Sequence, residues 1–291
     1  MLQGPIKNGP ILNAMSVDIE DWFQVGAFEH TIDRTDWDSL TRRVERNTHA
    51  VIEMFDRAGV KATFFTLGWV AERHPALMRA IVDAGHELAS HGYGHERVFT
   101  LSPEVFSRNI DRTKKLLEDS SGAMVTGYRA PSFSIDKRTP WAHEILAERG
   151  YGYSSSVAPV QSDHYGWPEA GRFAFRPVDG SDLIELPVTT AEFAGKRLAA
   201  GGGGWFRMLP YAFSRWAFNQ VNQRDARPGI FYFHPWEIDP DQPRVSHAPL
   251  KSRLRHYTNL SAMEAKMDRM LAAFEWGRVD SVAELEKLRL A

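Results

Sequence analysis

The sequence predicts an α/β protein built on a mainly parallel sheet that curls into a complete or distorted (β/α) barrel. Three observations lead there. Short strand-like runs alternate with stretches of helical periodicity through most of the 291 residues. One run, "VKATFFTLG", is the continuous apolar kind that is covered on both faces. Acidic, histidine and arginine residues fall just past the ends of these runs, where a barrel of this type carries its chemistry.

The elements follow in order. "PILNAMSVD" reads as a first strand, and residues 39–58 place Leu40, Val44, Val51 and Phe55 on one helical face that stops at Gly59. After "VKATFFTLG" come a helix in "HPALMRAIVDAG", ending at Gly85, and a short strand in "HELAS". Ser102, Pro103 and Glu104 supply a cap, a first-turn proline and an acid near the positive dipole end. The helix they start runs to about Asp119. "MVTGYRA", "YGYSSS", "DLIELPV" and "GIFYFH" are further strands, with helices near 140–149 and 205–223. "AAGGGGWF" reads as a flexible loop, or as a substrate-covering loop whose backbone comes close to a ligand. Residues 1–237 are expected to form one domain. Residues 238–291 form a C-terminal extension packed on it, with a helix in "NLSAMEAKMDRMLAAF" and a basic stretch, "RLRHY", at 253–257.

Bulk properties narrow the partners. The chain is 43% hydrophobic with a formal charge of −2, so no global field draws it to nucleic acid or an anionic membrane. It has no cysteine, which excludes disulfides, thiolate metal sites and a cysteine nucleophile. No signal-peptide pattern and no run of about eighteen apolar residues is seen. The expectation is a soluble, cytoplasmic protein without a transmembrane segment. Oligomeric state is left open.

The chemistry starts at "SVDIEDWFQV", where Asp18, Glu20 and Asp21 crowd behind the first strand. Like charges that close need a solvated turn or a cation. "SHGYGH" places His91 and His95 four apart after the third strand; two imidazoles and one carboxylate are the usual protein ligands of an open catalytic Zn²⁺ site. "GYRAPSF" puts Arg129 past another strand, with Pro131 stiffening the turn, and "FYFHPWE" ends a late strand at His234.

These motifs, in this order, resemble the polysaccharide deacetylases: carbohydrate esterase family 4, the NodB-homology proteins. "SVDIED", "SHGYGH", "GYRAPSF", "YGYSSS" and "FYFHPWE" correspond to the five motifs and span residues 12 to 237. The details look closest to the exosortase-associated exopolysaccharide branch. The resemblance implies a metal-dependent hydrolase that removes N-acetyl groups from an amino-sugar polysaccharide or its precursor. Zn²⁺, or Co²⁺, Ni²⁺ or Mn²⁺, is the implied cofactor. Asp18 becomes the general base, oriented by Arg129, and His234 the general acid. His91, His95 and a carboxylate hold the metal. That carboxylate is Asp21 or Glu20; Asp21 is preferred because the family's ligand is an aspartate. The fourth motif lacks the aspartate that often pairs with the acid histidine, a place open to Glu237 or a backbone carbonyl. An oxyanion donor is expected from the backbone around Ser132–Phe133. Trp22, Tyr93, Pro131, Phe133 and Trp236 are expected to bind sugar, with Phe23 nearby. Rival readings are an allantoinase-like or deformylase-like amidohydrolase, and an inactive carbohydrate-binding protein on the same fold.

Overall fold

The computed structural model describes residues 9–161 and 165–291. Ten strands and ten α-helices appear among them. The strands are β1 (Leu12–Ile19), β2 (Thr63–Thr66), β3 (Glu87–Ser90), β4 (Gly127–Tyr128), β5 (Tyr153–Ser154), β6 (Ile184–Glu185), β7 (Thr190–Phe193), β8 (Lys196–Ala199), β9 (Ile230–Phe233) and β10 (Glu275–Gly277). The helices are α1 (Val44–Ala58), α2 (Gly68–Arg73), α3 (Pro75–Asp83), α4 (Pro103–Ser121), α5 (Trp141–Glu148), α6 (Gly203–Met208), α7 (Tyr211–Asn219), α8 (Leu250–Tyr257), α9 (Met263–Ala273) and α10 (Val279–Leu290).

Strands β1 to β6 run side by side in parallel, and β9 and β10 also pair with β1. The strongest pairings are central: β1 matches Ser16–Ile19 to Thr63–Thr66 of β2, which matches the same residues to Glu87–Ser90 of β3. Every residue of β2 and β3 is buried, as a sheet covered on both faces requires. Past β4 the ladder thins to two-residue strands. The 124–130 and 151–156 runs therefore enter the sheet only at their middles.

Between β6 and β9 the curl is bridged by loop backbone. Thr189 N–H donates to Ile230 O at 3.3 Å, and Tyr232 N–H donates to Gly201 O at 2.8 Å. The glycine run is thus a packed filler of the barrel seam and no free loop. A Cβ at Gly203 would collide with the Glu237 carboxylate. The helix expected over 205–223 is divided at Pro210 into α6 and α7, since proline lacks the amide that would continue the ladder.

Residues 238–291 contribute to the same sheet, because β10 pairs with Leu12–Ala14 of β1. The aromatic core joins the two parts: Trp276 lies 5.3 Å from Phe218 and 6.2 Å from Phe231. No helix among the described residues is long and apolar enough to cross a membrane.

Candidate active site

Parallel strands bring their C-terminal ends to one side, and a cavity of about 390 Å³ opens there. Asp18, Glu20, His91, His95 and His234 all line it. Side chains two apart on a strand share a face. Asp18 and Glu20 therefore reach the cavity together, and Asp21 does not line it.

Asp21 has another task. One carboxylate oxygen accepts from the amides of Arg43 (2.8 Å) and Val44 (3.1 Å), and the other accepts from Trp22 N–H (2.9 Å). It supplies from a distance the cap that Arg43 cannot give to the start of α1. Burial pushes its pKa up to about 6 against those hydrogen bonds. The expectation of Asp21 as a metal ligand is corrected accordingly: its oxygens are spent on backbone, and Glu20 joins the histidines instead. Asp21→Asn is expected to lower stability by about 1–3 kcal/mol, the usual cost of disturbing buried amide partners. It should leave metal content unchanged, to be read by thermal melts beside elemental analysis.

Glu20, His91 and His95 each offer a ligand atom, all within 4.8 Å of one another. His91 Nδ1 lies 2.8 Å from Arg129 O, and a carbonyl only accepts, so Nδ1 carries the proton and Nε2 is left with its lone pair. Burial lowers His91 to about 4, which keeps the ring neutral. Glu20 Oε1 accepts from the Trp236 indole N–H at 3.3 Å. Its Oε2 is buried at ion-pair distance, 2.9 Å, from His95 Nε2 but has no well-aligned hydrogen bond among the described residues. Burial would raise the Glu20 pKa, but His95 and His234 outweigh it and bring it to about 2. An ionised, buried carboxylate with an orphaned oxygen beside two imidazoles fits a divalent cation. His95 is held in left-handed backbone (φ 59°), as are Ser132 and Phe133 on the facing motif. Such strain commonly marks functional sites.

Asp18 sits against Arg129. The guanidinium is fully buried and donates to Asp18 Oδ1 at 2.7 Å, Ser16 Oγ at 2.8 Å, Ser155 O at 3.1 Å and Ser155 Oγ at 3.0 Å. It also lies 4.1 Å from the Phe65 ring centre. Arg129 therefore has one allowed pose, and it fixes Asp18. "YGYSSS" thus enters the site through Ser155, which holds the arginine.

His234 stands on the other side of Glu20, its Nε2 3.5 Å from Glu20 Oε1. Its Nδ1 faces Glu237 Oε1 at 2.8 Å, and Glu237 Oε2 takes Arg207 Nε–H at 2.6 Å. Glu237 thus fills the place of the missing aspartate. Burial opposes its charge, but Arg207 and His234 hold its carboxyl below the usual range. Burial likewise works against a charged His234, yet Glu20 and Glu237 prevail and raise it to about 9. Arg207, in the α6 segment, carries no motif of its own in the sequence. Glu237→Gln keeps the shape and removes the charge, so His234 should titrate about a unit or more lower. The alkaline limb of any rate that needs protonated His234 then moves to lower pH, and a ring NMR titration reads it directly.

The aromatic expectations divide. Phe133 and Trp236 line the cavity. Trp22, Tyr93 and Pro131 do not: Trp22 is core and its indole donates to Thr41 O at 3.0 Å, while Tyr93 O–H donates to Glu72 at 2.6 Å under Arg112. Pro131 is buried in its turn, and Phe23 packs in the core against Trp22, Trp37 and Trp69. Trp205, on α6 and 44% exposed, lines the cavity and was not anticipated; its signal was the glycine run directly before it.

Fold and site define a curled parallel α/β half-barrel with a histidine and carboxylate cluster at its strand ends, and known proteins share this fold. Residues 30–153 match the polysaccharide deacetylase family model, and residues 155–284 match a domain of unknown function, DUF3473. A peptidoglycan deacetylase-like protein of Gibberella zeae is 34% identical over 117 residues, covering 40% of this chain and 34% of that one. The peptidoglycan deacetylase of Helicobacter pylori is 31% identical over 107 residues, covering 37% and 36%. The chain thus spans about a third of the length of the curated relatives it matches. Among solved structures, a Mycobacterium smegmatis protein assigned by name to the polysaccharide deacetylases aligns over 99% of this chain and 94% of its own. Its TM-score is 0.63 at 21% identity. The Puue allantoinase aligns over 94% and 89% with a TM-score of 0.60 at 14% identity. Both show the fold. Over residues 30–153 the chain is thus similar to the polysaccharide deacetylases, in the segment that carries the histidine and arginine motifs of the site.

Proposed function

We propose that the protein is a metal-dependent de-N-acetylase of an amino-sugar glycan, in an exopolysaccharide or its precursor. The observation that carries this is the orphaned Glu20 Oε2 beside His91 and His95, set between the Asp18–Arg129 pair and the His234–Glu237 pair. Glu20, His91 and His95 would hold the ion, with Zn²⁺ the best match to two imidazoles and a carboxylate. When bound, such an ion polarises the amide carbonyl and makes water more acidic.

The chain's own residues supply the proton traffic. Asp18 accepts the proton of the attacking water, its orientation locked by Arg129. His234, raised to about 9, carries a proton at neutral pH and gives it to the departing nitrogen. Phe133 N–H is spent on Ala130 O at 3.0 Å, which supports Ser132 N–H as the backbone donor for the developing oxyanion. Trp236, stacked on His234 at 5.0 Å with its indole N–H on Glu20, ties the acid to the ligand.

The test is acetate release from an N-acetylglucosamine oligosaccharide by protein stripped with a chelator and then reconstituted with Zn²⁺. Activity that returns with the ion supports the reading. Turnover of allantoin without any sugar turnover would replace it with the small-molecule alternative.

A further inference from the structure

Helix α8 is oriented against the usual rule for a surface helix. Leu250 and Leu254 are 67% and 59% exposed, while Lys251, Ser252, Arg255 and His256 line the cavity. The spacing 251, 252, 255, 256 describes one helical face. The helix buries His256 against Trp236 and Phe28, leaves Arg253 with the leucines in water, and sends Lys251 and Arg255 to the cavity. The arrangement makes sense when the cavity holds something polar and negative.

For Arg255 the cavity's described acids do not fill that role. Asp18 is paired with Arg129 (2.7 Å), Glu29 with Arg97 (2.8 Å) and Glu237 with Arg207 (2.6 Å). Glu20 belongs to the cation group. Arg255 lines the cavity and has no acidic partner among the described residues. His256 adds a second observation. Gln242 donates its amide N–H groups to Trp236 O (2.8 Å) and Asp239 O (3.0 Å), so its oxygen meets His256 Nε2 at 2.6 Å. His256 Nε2 is therefore the protonated nitrogen. Nδ1 is a buried acceptor with no hydrogen-bond partner among the described residues, on the side chain that forms the cavity wall beside Arg255.

We infer that α8 forms an anion-recognising subsite of the cavity, so that the glycan accepted carries an acidic group, carboxylate or phosphate, close to the N-acetylated sugar. This rests on the glycan deacetylase reading above. It also gives a task to a helix within the matched domain of unknown function: reading charge on the substrate beside a centre built largely by the strand ends.

Calorimetric titration of the whole chain in a chelator, where no turnover occurs, tests it with three probes. These are a tetrasaccharide alternating N-acetylglucosamine with glucuronate, the neutral N-acetylglucosamine tetrasaccharide, and UDP-N-acetylglucosamine. The acidic tetrasaccharide should bind about tenfold tighter than the neutral one, and the difference should shrink as salt rises. Arg255→Gln should erase the preference and leave the neutral affinity in place. A preference confined to the nucleotide sugar would keep the subsite and assign its anion to a pyrophosphate-linked precursor. Equal affinities for the acidic and neutral probes, or an unchanged preference in Arg255→Gln, would overturn the inference. Acetate release by the zinc-loaded enzyme separates the two readings. Turnover of the neutral tetrasaccharide with no acid preference leaves the deacetylase and removes the subsite. Acid-selective binding without turnover of any probe does the reverse.

Discussion

Glu20→Gln protein is expected to purify folded but without a stoichiometric divalent ion. The exchange keeps size and the acceptor oxygen that meets Trp236, so packing changes little. It removes the negative charge that Oε2 brings to His91 and His95 (within 4.8 Å of one another as a group). Neutralising a primary ligand should cost more than the roughly 10–100-fold usual for groups that only orient one. Metal affinity should therefore fall at least about a hundredfold, with acetate release falling in step. His91→Ala should do the same. Elemental analysis after dialysis against limiting Zn²⁺ reads both. Wild-type metal content in Glu20→Gln would remove the carboxylate from the ion's shell and leave its orphaned oxygen without a purpose.

The second large effect concerns His234. Deacetylation leaves an amine that must be protonated as it departs, whereas the alcohol of an activated acetate ester departs without much help. His234→Ala should lose on the order of 10²–10⁴ in rate on an N-acetyl amide, the range of general acid catalysis, and far less on the ester. Loss of the stack on Trp236 could loosen Glu20, so metal content is measured beside the rates. Equal losses on amide and ester at full metal occupancy would make His234 a binding or orienting group and place the acid elsewhere.

Residues that sit on strand ends were readable from the sequence because parallel strands force their ends together. Asp18, His91, His95, Arg129 and His234 converge for that reason, and the structure brings all five to one place. Glu20 and not Asp21 shares the cavity with Asp18, because "DIE" puts Asp18 and Glu20 on one face whatever acid the relatives use. What Asp21 does depends on Arg43 and Val44, twenty-odd positions on, and no local pattern announces a cap from that distance. The same holds for Ser155 and Arg207, whose partners are set by tertiary packing. Glycine-rich sequence reads as loose chain, yet here Gly201 and Gly203 are small because Ile230 O and the Glu237 carboxylate press against them. Trp22 and Tyr93 show the converse. An aromatic next to a motif is as easily core or rim as platform, and only burial and partners decide. β10 escaped notice because three residues, Glu275–Gly277, carry no periodicity to read.

The most direct measurement of the central claim is acetate release by Zn²⁺-reconstituted wild-type and Asp18→Asn proteins from one N-acetylated oligosaccharide, with metal content determined on the same samples. Asp18 touches Arg129 and lines the cavity but lies outside the Glu20, His91, His95 group. Wild type is expected to release one acetate and one new free amine per turnover. Asp18→Asn is expected to keep its ion and lose turnover by about 10²–10⁴, the range expected when a general base is removed. Metal-loaded wild type that frees no acetate from any N-acetyl sugar, or Asp18→Asn that works as well as wild type, would contradict it.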